Sequence, residues 1–484
     1  MSSLLEHISK IESHAIAIES DDTSLTYKEL IHKVEDVKNW LLVKEAKSVA
    51  LHAQNSIDWV VVDLACQSLG ILLTPIPLFF STEQFNQVLK SVKPDLILSD
   101  IKLPMGLTFK CASLDLNGCR LNQLTPINAP QGTIKITYTS GSTGHPKGVC
   151  LSEDNQWKVT NSLVEVIGFE KPRHLCLLPL PTLLENIAGI YAPLVAGGTI
   201  IIPNDESRGF TGSKLVAPQR LMQCISDNKP NTLILVPELL QVLVGACNKG
   251  WQPPASLKFV AVGGSKVSEK LIIQARALGI PVCQGYGLSE CASVVSLCKF
   301  DQDVTHCGTV LPHLTVEIVN SEIVVTGNTF LGYLEQPESW GTQKVRTGDI
   351  GKVIKGCLTI EGRIKNTLIN SFGRNISPEW VESELLATGM FIQAVVIGDA
   401  RPFCSALLVP ISADLSLTEL RTAINRVNSC LPDYAQVHEP IFLSSPMTIE
   451  QGLYTQNMRP KRELIHQYFE SKIAQIYADS CEEE

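Results

Sequence analysis

The sequence predicts an α/β protein with a large N-terminal domain of helix-covered, mainly parallel sheets plus a small β-barrel-like part, followed by a small α+β C-terminal domain. Three observations support this fold class. The chain has 484 residues, whereas single hydrophobic cores stop growing near ~250 to 300 residues. Short apolar runs alternate with helical patterns through the first two-thirds of the chain, which favours a parallel sheet covered by helices. Beyond residue 310 the pattern changes to paired strands with tight turns.

The N-terminal part begins with strand and helix patterns in alternation. Residues 48–52 have the pattern of a strand, residues 56–69 that of a helix, and residues 71–76 that of a second strand ending among prolines. Further short apolar runs predict strands at 95–99, 134–139, 199–202, 232–236, 259–263 and 281–284. In sheets of this kind ligands bind at the ends of the strands.

The rest of the chain predicts antiparallel strands and then a compact α+β unit. Residues 316–319 and 322–326 have strand patterns, and a hairpin is expected around the Lys355-Gly356 turn. The C-terminal patterns predict strands at 394–397 and 404–410 and helices at 415–430 and 461–477. We therefore place a domain boundary near residue 364, which divides the chain into domains 1–364 and 365–484.

Charge and composition narrow the classes of function. The net charge is -9, with 44% hydrophobic and 18% charged residues, which is ordinary for a soluble enzyme and argues against nucleic acid as a partner. The first twenty residues lack the continuous apolar core of a signal peptide, so we expect a cytoplasmic protein. The longest apolar stretch, 233–247, is shorter than the ~20 residues of a membrane span. It predicts a buried strand and helix rather than a transmembrane segment.

The fifteen cysteines form no C-x-x-C pair and no cluster with histidine at metal-ligand spacing. The sequence therefore gives a zinc site little support. Free, buried thiols in a reducing cytosol are the expectation.

The segment TYTSGSTGHPKGVCLS, residues 137–152, concentrates hydroxyls and glycines around Lys147. Glycines allow backbone N–H groups to approach a ligand, and hydroxyls and an ammonium add donors, so the segment predicts an anion cradle. It is not a P-loop, because Pro146 precedes Lys147 and Gly148 follows it. The alternative is a passive Ser/Gly-rich surface loop.

Other motifs follow in a fixed order: LTYKEL at 25–30, QGYGLSE at 284–290, TGD at 347–349 and GRIKN at 362–366. Together with YTSGSTGHPKGV they resemble the signatures of the adenylate-forming (AMP-binding) superfamily, which includes acyl-CoA synthetases, luciferases and peptide-synthetase adenylation domains. LPLPTLLENIAG, GLSECASVV and SFGRNISPEWVESEL are most similar to the long-chain acyl-CoA synthetase branch.

The resemblance implies an AMP-forming acid–thiol ligase. Such an enzyme activates a hydrophobic, fatty carboxylic acid with ATP to acyl-AMP and pyrophosphate, and then transfers the acyl group to the thiol of coenzyme A. The implied cofactors are ATP, Mg²⁺ and coenzyme A, or the phosphopantetheine of a carrier protein. Two alternatives stay open, namely an acyl-acyl-carrier-protein ligase and a weakly catalytic acyl-adenylate-binding protein.

By the same resemblance, the hydroxyls and glycines of the first motif surround the ATP phosphates, with Lys147 and Thr143 in catalytic positions. Tyr286 lies against adenine, Ser289 near the α-phosphate, and Glu290 and Thr143 at Mg²⁺. For Glu290 alone, a role at the start of a following helix is the alternative. The residues implied at the nucleotide are Thr139, Ser140, Gly141, Ser142, Gly144, Gly263, Gly264, Gly285, Tyr286, Gly287, Ser289, Asp349 and Arg363.

In the family Asp349 binds the ribose hydroxyls, Arg363 assists there, Lys365 is the hinge of a mobile C-terminal domain, and Gly373 lines the thiol channel. For Asp349 or Arg363 taken alone, a solvated surface charge is the alternative. The implied acyl pocket contains Thr182, Leu183, Leu184, Val236 and Leu239, extended by Ile187, Leu240 and Val294. Ordinary core packing is the alternative for each of these.

The chain departs from the family at its C-terminal catalytic lysine. The corresponding position holds Arg459, with Lys461 two residues later. Arginine keeps the charge but presents a planar fork in place of a compact ammonium. Three outcomes stay open: Arg459 acts as the catalytic cation, Lys461 replaces it, or the protein binds acyl-adenylate without forming it efficiently.

Overall fold

The computed structural model describes residues 4–101, 107–110, 114–121, 127–139, 147–212, 214–372, 374–455 and 458–479. Strands β1 to β14 are Ile16–Ser20, Ser24–Thr26, Ser48–His52, Leu72–Pro75, Leu96–Ser99, Leu107–Lys110, Asn117–Arg120, Lys135–Thr139, Lys147–Leu151, Arg173–Leu175, Thr199–Ile202, Phe210–Thr211, Lys214–Leu215 and Thr232–Leu235. Strands β15 to β28 are Phe259–Val262, Val282–Leu288, Ser293–Leu297, Thr309–Val310, Leu314–Val319, Glu322–Gly327, Gly332–Tyr333, Lys344–Ile354, Cys357–Arg363, Leu368–Ile369, Asn375–Ile376, Phe391–Ile397, Ser405–Pro410 and Ile441–Phe442.

Helices α1 to α14 alternate with these strands. They are Leu4–Ile8, Tyr27–Val43, Ile57–Leu69, Thr82–Val92, Glu153–Ile167, Ala192–Val195, Asp205–Arg208, Pro218–Asn228, Pro237–Asn248, Glu269–Ala277, Pro378–Leu386, Leu417–Asn428, Arg462–Tyr468 and Glu470–Asp479. Residues Leu184–Tyr191 form a π-helix that runs directly into α6. No helix within the described ranges is both long enough and apolar enough to cross a membrane.

Two large sheets dominate the N-terminal part. In the first, strands β1, β11, β10, β14, β15 and β16 are parallel neighbours. An antiparallel extension continues from β16 through β17, β18, β23, β22, β20 and β19. The second sheet has the order β21-β9-β8-β4-β3-β5-β7-β6, and β4, β3 and β5 are parallel within it.

The predicted α/β class is confirmed, with a large N-terminal sheet domain and a smaller C-terminal part. The C-terminal part is built on the three-stranded sheet β26-β27-β28, against which α11 and α12 pack around Val381, Leu385 and Leu420. The hairpin predicted around Lys355-Gly356 is the β22–β23 pair.

Local sequence explains where the helices begin. Thr26 accepts a hydrogen bond from the backbone of Glu29, and the Glu29 carboxylate accepts one from Thr26 N–H, which is a complete capping box for α2. The same reciprocal arrangement begins α4, α5 and α12.

One expected helix is interrupted in the structure. The helix expected at 461–477 is two helices, α13 and α14. Between them Phe469 has φ −105° and ψ 16°, outside the helical region, and its ring packs beside Ile473 and Tyr477. The cysteines in the described ranges are buried, as expected, except Cys357 and Cys430.

A fully buried ion pair joins the second sheet to helix α3. Lys135 on β8 lies 2.7 Å from Asp63 of α3, and their side chains are 2% and 0% exposed. The Lys135 ammonium also donates to Asn186 Oδ1 and Tyr191 Oη of the π-helix, at 2.7 and 2.8 Å. Asn186 and Tyr191 in turn donate to Asp63 Oδ2. Burial lowers the pKa of Lys135, and the Asp63 charge acts in the opposite direction.

We expect Asp63→Asn to lower the free energy of unfolding by about 3 to 5 kcal/mol, because it leaves the Lys135 charge buried without its partner. Replacing both members, Lys135→Met with Asp63→Leu, should restore most of that loss. Urea denaturation followed by circular dichroism measures both. The exposed pair of Lys171 with Glu12, 3.0 Å apart, is the control, and Lys171→Met should change stability by less than ~1 kcal/mol. Equal effects of Asp63→Asn and Lys171→Met would contradict the importance of the buried pair.

Candidate active site

A carboxylate and a guanidinium face each other across the β22–β23 hairpin. Asp349 and Arg363 are register partners, and Arg363 Nε donates to Asp349 Oδ1 at 2.9 Å. The Tyr286 hydroxyl, from β16, donates to Asp349 Oδ2 at 2.6 Å. Burial, and next to it the Asp349 charge, raise the pKa of Tyr286 well above its usual value. The phenol therefore stays protonated and holds the carboxylate in place.

A second carboxylate is held beside Lys147. Glu290 lies in the short 3₁₀ turn Ser289–Cys291, and its Oε1 accepts a hydrogen bond from the Tyr333 hydroxyl at 2.7 Å. The Lys147 ammonium lies 5.1 Å from the centroid of the Tyr333 ring. Tyr333 thus lies between Lys147 of the segment 137–152 and Glu290, the carboxylate predicted at Mg²⁺.

Arg459 of the C-terminal part reaches the N-terminal part. Its guanidinium donates to the carbonyl oxygen of Gly264. Desolvation by the cleft walls, and next to it the Arg363 charge, lower the pKa of Arg459, while Asp349 and Glu238 raise it. Lys461 is the N-cap residue of α13, and its backbone N–H donates to the carbonyl oxygen of Leu453. Of these two cations, it is Arg459 whose side chain forms a described hydrogen bond to the segment 263–264.

Four cationic side chains converge on this region. Desolvation lowers the pKa of Lys365, and the neighbouring charges of Arg363, Arg459 and Lys147 lower it further, whereas Glu463 raises it. Asp349 pairs with Arg363, and a bound anion would stabilise the remaining positive charges. The arrangement suits a polyphosphate.

Three glycines make room along the cleft. A Cβ on Gly287 would lie 1.8 Å from the Ser293 carbonyl oxygen, so no side chain fits there without moving the backbone. Gly264 has φ +87°, a left-handed conformation that favours glycine. A Cβ on Gly263 would approach the Gly285 oxygen to 3.3 Å. These positions bring bare backbone beside Tyr286.

The apolar side of the same cleft contains the residues assigned to the acyl group. The cleft has a volume of about 3280 Å³, and its lining includes Thr182, Leu183, Leu184, Val236, Leu239 and Val294. Ile187 and Leu240 are fully buried within core clusters and are not in that lining. Ile187 and Leu240 therefore occupy core-packing positions, which is the alternative given for them above.

Part of the first motif lies outside the described residues. This applies to Ser140, Gly141, Ser142, Thr143 and Gly144, and also to Gly373. Thr139 is described by its backbone, which pairs with Lys147 across β8 and β9. On β9, Val149 pairs with Tyr333 of β21.

Sequence reasoning missed two residues of this site. Tyr333 belongs to the segment GNTFLGYL, which no motif assigned to the site. Glu238 begins α9 within the longest apolar stretch. Desolvation raises the pKa of the Glu238 carboxyl and the Arg459 charge lowers it, so the two groups are neighbours in the cleft. A carboxylate inside an otherwise apolar run was the available signal.

Two family models match separate segments of the chain. A family model described as AMP-binding enzyme matches residues 5–334, and one described as AMP-binding enzyme C-terminal domain matches residues 365–481. A long-chain-fatty-acid–CoA ligase of Mycobacterium bovis is 23% identical, covering 90% of this chain and 88% of its own. The 2-succinylbenzoate–CoA ligase of Escherichia coli is 28% identical, covering 81% and 83%.

Solved structures share the fold. The O-succinylbenzoate coenzyme A synthetase of Bacillus subtilis, in complex with AMP, superposes with a TM-score of 0.77 at 20% identity, covering 96% of this chain and 98% of its own. An anthranilate CoA ligase in complex with anthranoyl-AMP gives a TM-score of 0.80 at 15% identity, covering 96% and 97%.

We expect Gly287→Ala to abolish tight nucleotide binding and to lower stability, because the new Cβ meets backbone at 1.8 Å. Isothermal titration with ATP should show at least a ~10-fold weaker affinity, equivalent to ~1.4 kcal/mol. Gly245→Ala is the matched control: it lies within α9, where a Cβ would meet nothing within 4 Å. That substitution should raise stability by about 0.5 to 1 kcal/mol. Unchanged ATP affinity in Gly287→Ala would contradict the importance of the β16–β17 pairing at Gly287 for nucleotide binding.

Proposed function

The chain belongs to the family of AMP-binding enzymes and is an AMP-forming acid–thiol ligase, and from this premise we propose that its acid is hydrophobic and of the fatty type. In the first step a carboxylate oxygen attacks the α-phosphorus of ATP, which gives acyl-AMP and pyrophosphate. In the second step the thiol of coenzyme A attacks the acyl carbon, which gives the thioester and AMP.

One observation carries this proposal. Three cations, Arg363, Lys365 and Arg459, and two held carboxylates, Asp349 and Glu290, line the same cleft as an apolar wall. The charged side supports binding of a nucleotide triphosphate, and the apolar side supports binding of a hydrocarbon. The relatives are named for both long-chain fatty acids and 2-succinylbenzoate. The proposed preference for a fatty acid therefore rests on the apolar lining of the cleft.

The residues at hand suit a magnesium–nucleotide complex. Glu290 has one oxygen engaged by Tyr333, and a carboxylate that joins phosphate oxygens is the usual protein ligand of Mg²⁺. Glu290 would hold the ion, with Thr143 proposed as its partner. The bound ion would neutralise phosphate charge as pyrophosphate departs.

In the adenylating step, Asp349 would accept hydrogen bonds from the ribose hydroxyls while Arg363 and Tyr286 hold it in place. Arg459 would stabilise the negative charge that develops between the carboxylate and the α-phosphate. Its existing contact with Gly264 supports Arg459 over Lys461 for this role, because it already brings the guanidinium to the adenine wall.

For the thioester-forming step we propose that the C-terminal domain, residues 365–484, turns about Lys365 and brings Gly373 to the thiol channel. Arg459 would leave the site in this movement, since it belongs to the moving part. A phosphopantetheine arm is common to coenzyme A and to carrier proteins. The carrier-protein ligase is thus the second candidate, and mass spectrometry of a carrier protein incubated with enzyme, acid and ATP separates the two.

We expect Arg459→Ala to lower acid-dependent exchange of labelled pyrophosphate into ATP by about 100-fold or more, as for loss of one preorganised donor. Arg459→Lys should retain activity, and Lys461→Ala, the control cation, should stay near wild type. The assay should cover short, medium and long fatty acids and several aryl acids.

The reverse pattern, with Lys461→Ala inactive and Arg459→Ala active, would assign the catalytic cation to Lys461. Exchange that is absent from the wild type and gained in Arg459→Lys would support the acyl-adenylate-binding protein instead.

We expect Leu239→Trp to shift the preference toward shorter acids. If the larger side chain excludes three methylenes, the loss is about 2.4 kcal/mol at ~0.8 kcal/mol each, which is a ~50-fold fall in kcat/KM for long acids. Short acids should react at the wild-type rate. Leu42→Trp, at an exposed position of α2, is the control for adding an indole elsewhere. A uniform fall over all chain lengths would contradict a place for Leu239 along the acyl chain.

A further inference from the structure

A buried set of nitrogen, sulfur and oxygen atoms lies apart from the nucleotide site. His174 is on β10, Cys176 follows that strand, and Glu185 lies in the first turn of the π-helix. All three are buried, and their ligand atoms lie within 4.8 Å of one another. His174 Nε2 is 3.0 Å from Glu185 Oε1. Ligand atoms around a tetrahedral zinc are about 3.3 to 3.6 Å apart, given Zn–S near 2.3 Å and Zn–N or Zn–O near 2.0 Å. Small movements therefore suffice to bring the three atoms onto one ion.

The atoms that would not bind the ion have their own partners. His174 Nδ1 is 2.9 Å from Thr232 Oγ1, so a proton on Nδ1 can be donated to that hydroxyl while Nε2 is free to bind a metal. Glu185 Oε2 accepts a hydrogen bond from Leu178 N–H at 3.3 Å, which leaves Oε1 directed at the histidine. Metal-binding histidines and carboxylates are commonly oriented by such outer hydrogen bonds.

Charge agrees with a metal at this position. A Cβ on Gly189 would come within 2.5 Å of Glu185 Oε1 and 2.8 Å of His174 Nε2, so only glycine packs there without displacing these two atoms. A thiolate and a carboxylate together balance the charge of Zn²⁺, and such neutrality matters in a fully buried place. A mixed set of imidazole, thiolate and carboxylate is a zinc set rather than a magnesium set.

We propose that His174, Cys176 and Glu185 bind one Zn²⁺ ion, with a water molecule in the fourth position, and that this site fixes the π-helix to β10. Uptake of the ion releases the Cys176 proton. Leu184, a residue of the proposed acyl pocket, begins the π-helix, and Thr182 lies two residues before it. The ion would therefore act as a structural anchor for the acyl side of the cleft. The proposal does not depend on the identity of the acid.

The test uses the full chain, stripped with a chelator, incubated with Zn²⁺ or Co²⁺ and desalted. We expect about one metal ion per chain by mass spectrometry. The Co²⁺ form should show a thiolate-to-cobalt charge-transfer band. Cys176→Ser should abolish that band and the retained ion, whereas Cys404→Ser, an equally buried cysteine of the C-terminal part, should change neither. Thr232→Val should weaken Co²⁺ binding by about 10- to 100-fold.

Substoichiometric retention by the wild type, or a Co²⁺ spectrum without a thiolate band, would overturn the proposal even if the variants fail to fold. Retention that survives in Cys176→Ser and Glu185→Gln would overturn it as well, because the ion would then lie elsewhere.

Discussion

The buried pair of Lys135 and Asp63 is the constraint on which the rest of the structure depends. Two ions removed from water are costly unless they are paired and hydrogen-bonded, and here Asn186 and Tyr191 add hydrogen bonds to both. This requirement fixes β8, helix α3 and the π-helix relative to one another. The strand β8 leads into the predicted phosphate loop, and the π-helix follows the acyl segment. One polar cluster in the core thus fixes the strand before the predicted phosphate loop relative to the acyl side of the cleft.

The π-helix does this by presenting consecutive residues to different partners. Glu185 faces His174 of the first sheet, and Asn186 faces Lys135 of the second. π-Helical segments are rare and occur often at functional sites, and this one ties the two sheets together through polar contacts. The apolar packing of Ile187 and Ile190 in the main core then holds the element between them.

The fold class, the hairpin at Lys355-Gly356 and the family could be predicted from the sequence, since each depends on local pattern or on motif order. The register of that hairpin could not be predicted. The ladder pairs Ile354 with Cys357 and shifts by one residue between Ile350 and Gly351, and only this bulge places Asp349 opposite Arg363. Tyr333 and the cluster around His174 were missed for a related reason: their partners are distant in sequence or come from an unpredicted π-helix.

The contacts around the active site differ in what a domain movement would do to them. Asp349, Arg363 and Tyr286 all precede Lys365, so their hydrogen bonds persist in any orientation of the proposed C-terminal domain. By contrast, the contact of Arg459 with Gly264 and the ion pair of Lys270 with Glu384, at 2.8 Å, both cross the proposed boundary. Lys270 is half exposed, and such pairs contribute only ~0 to 1 kcal/mol. The orientation in which Arg459 reaches the nucleotide wall is therefore held weakly by these contacts, and bound substrates can determine which orientation is populated.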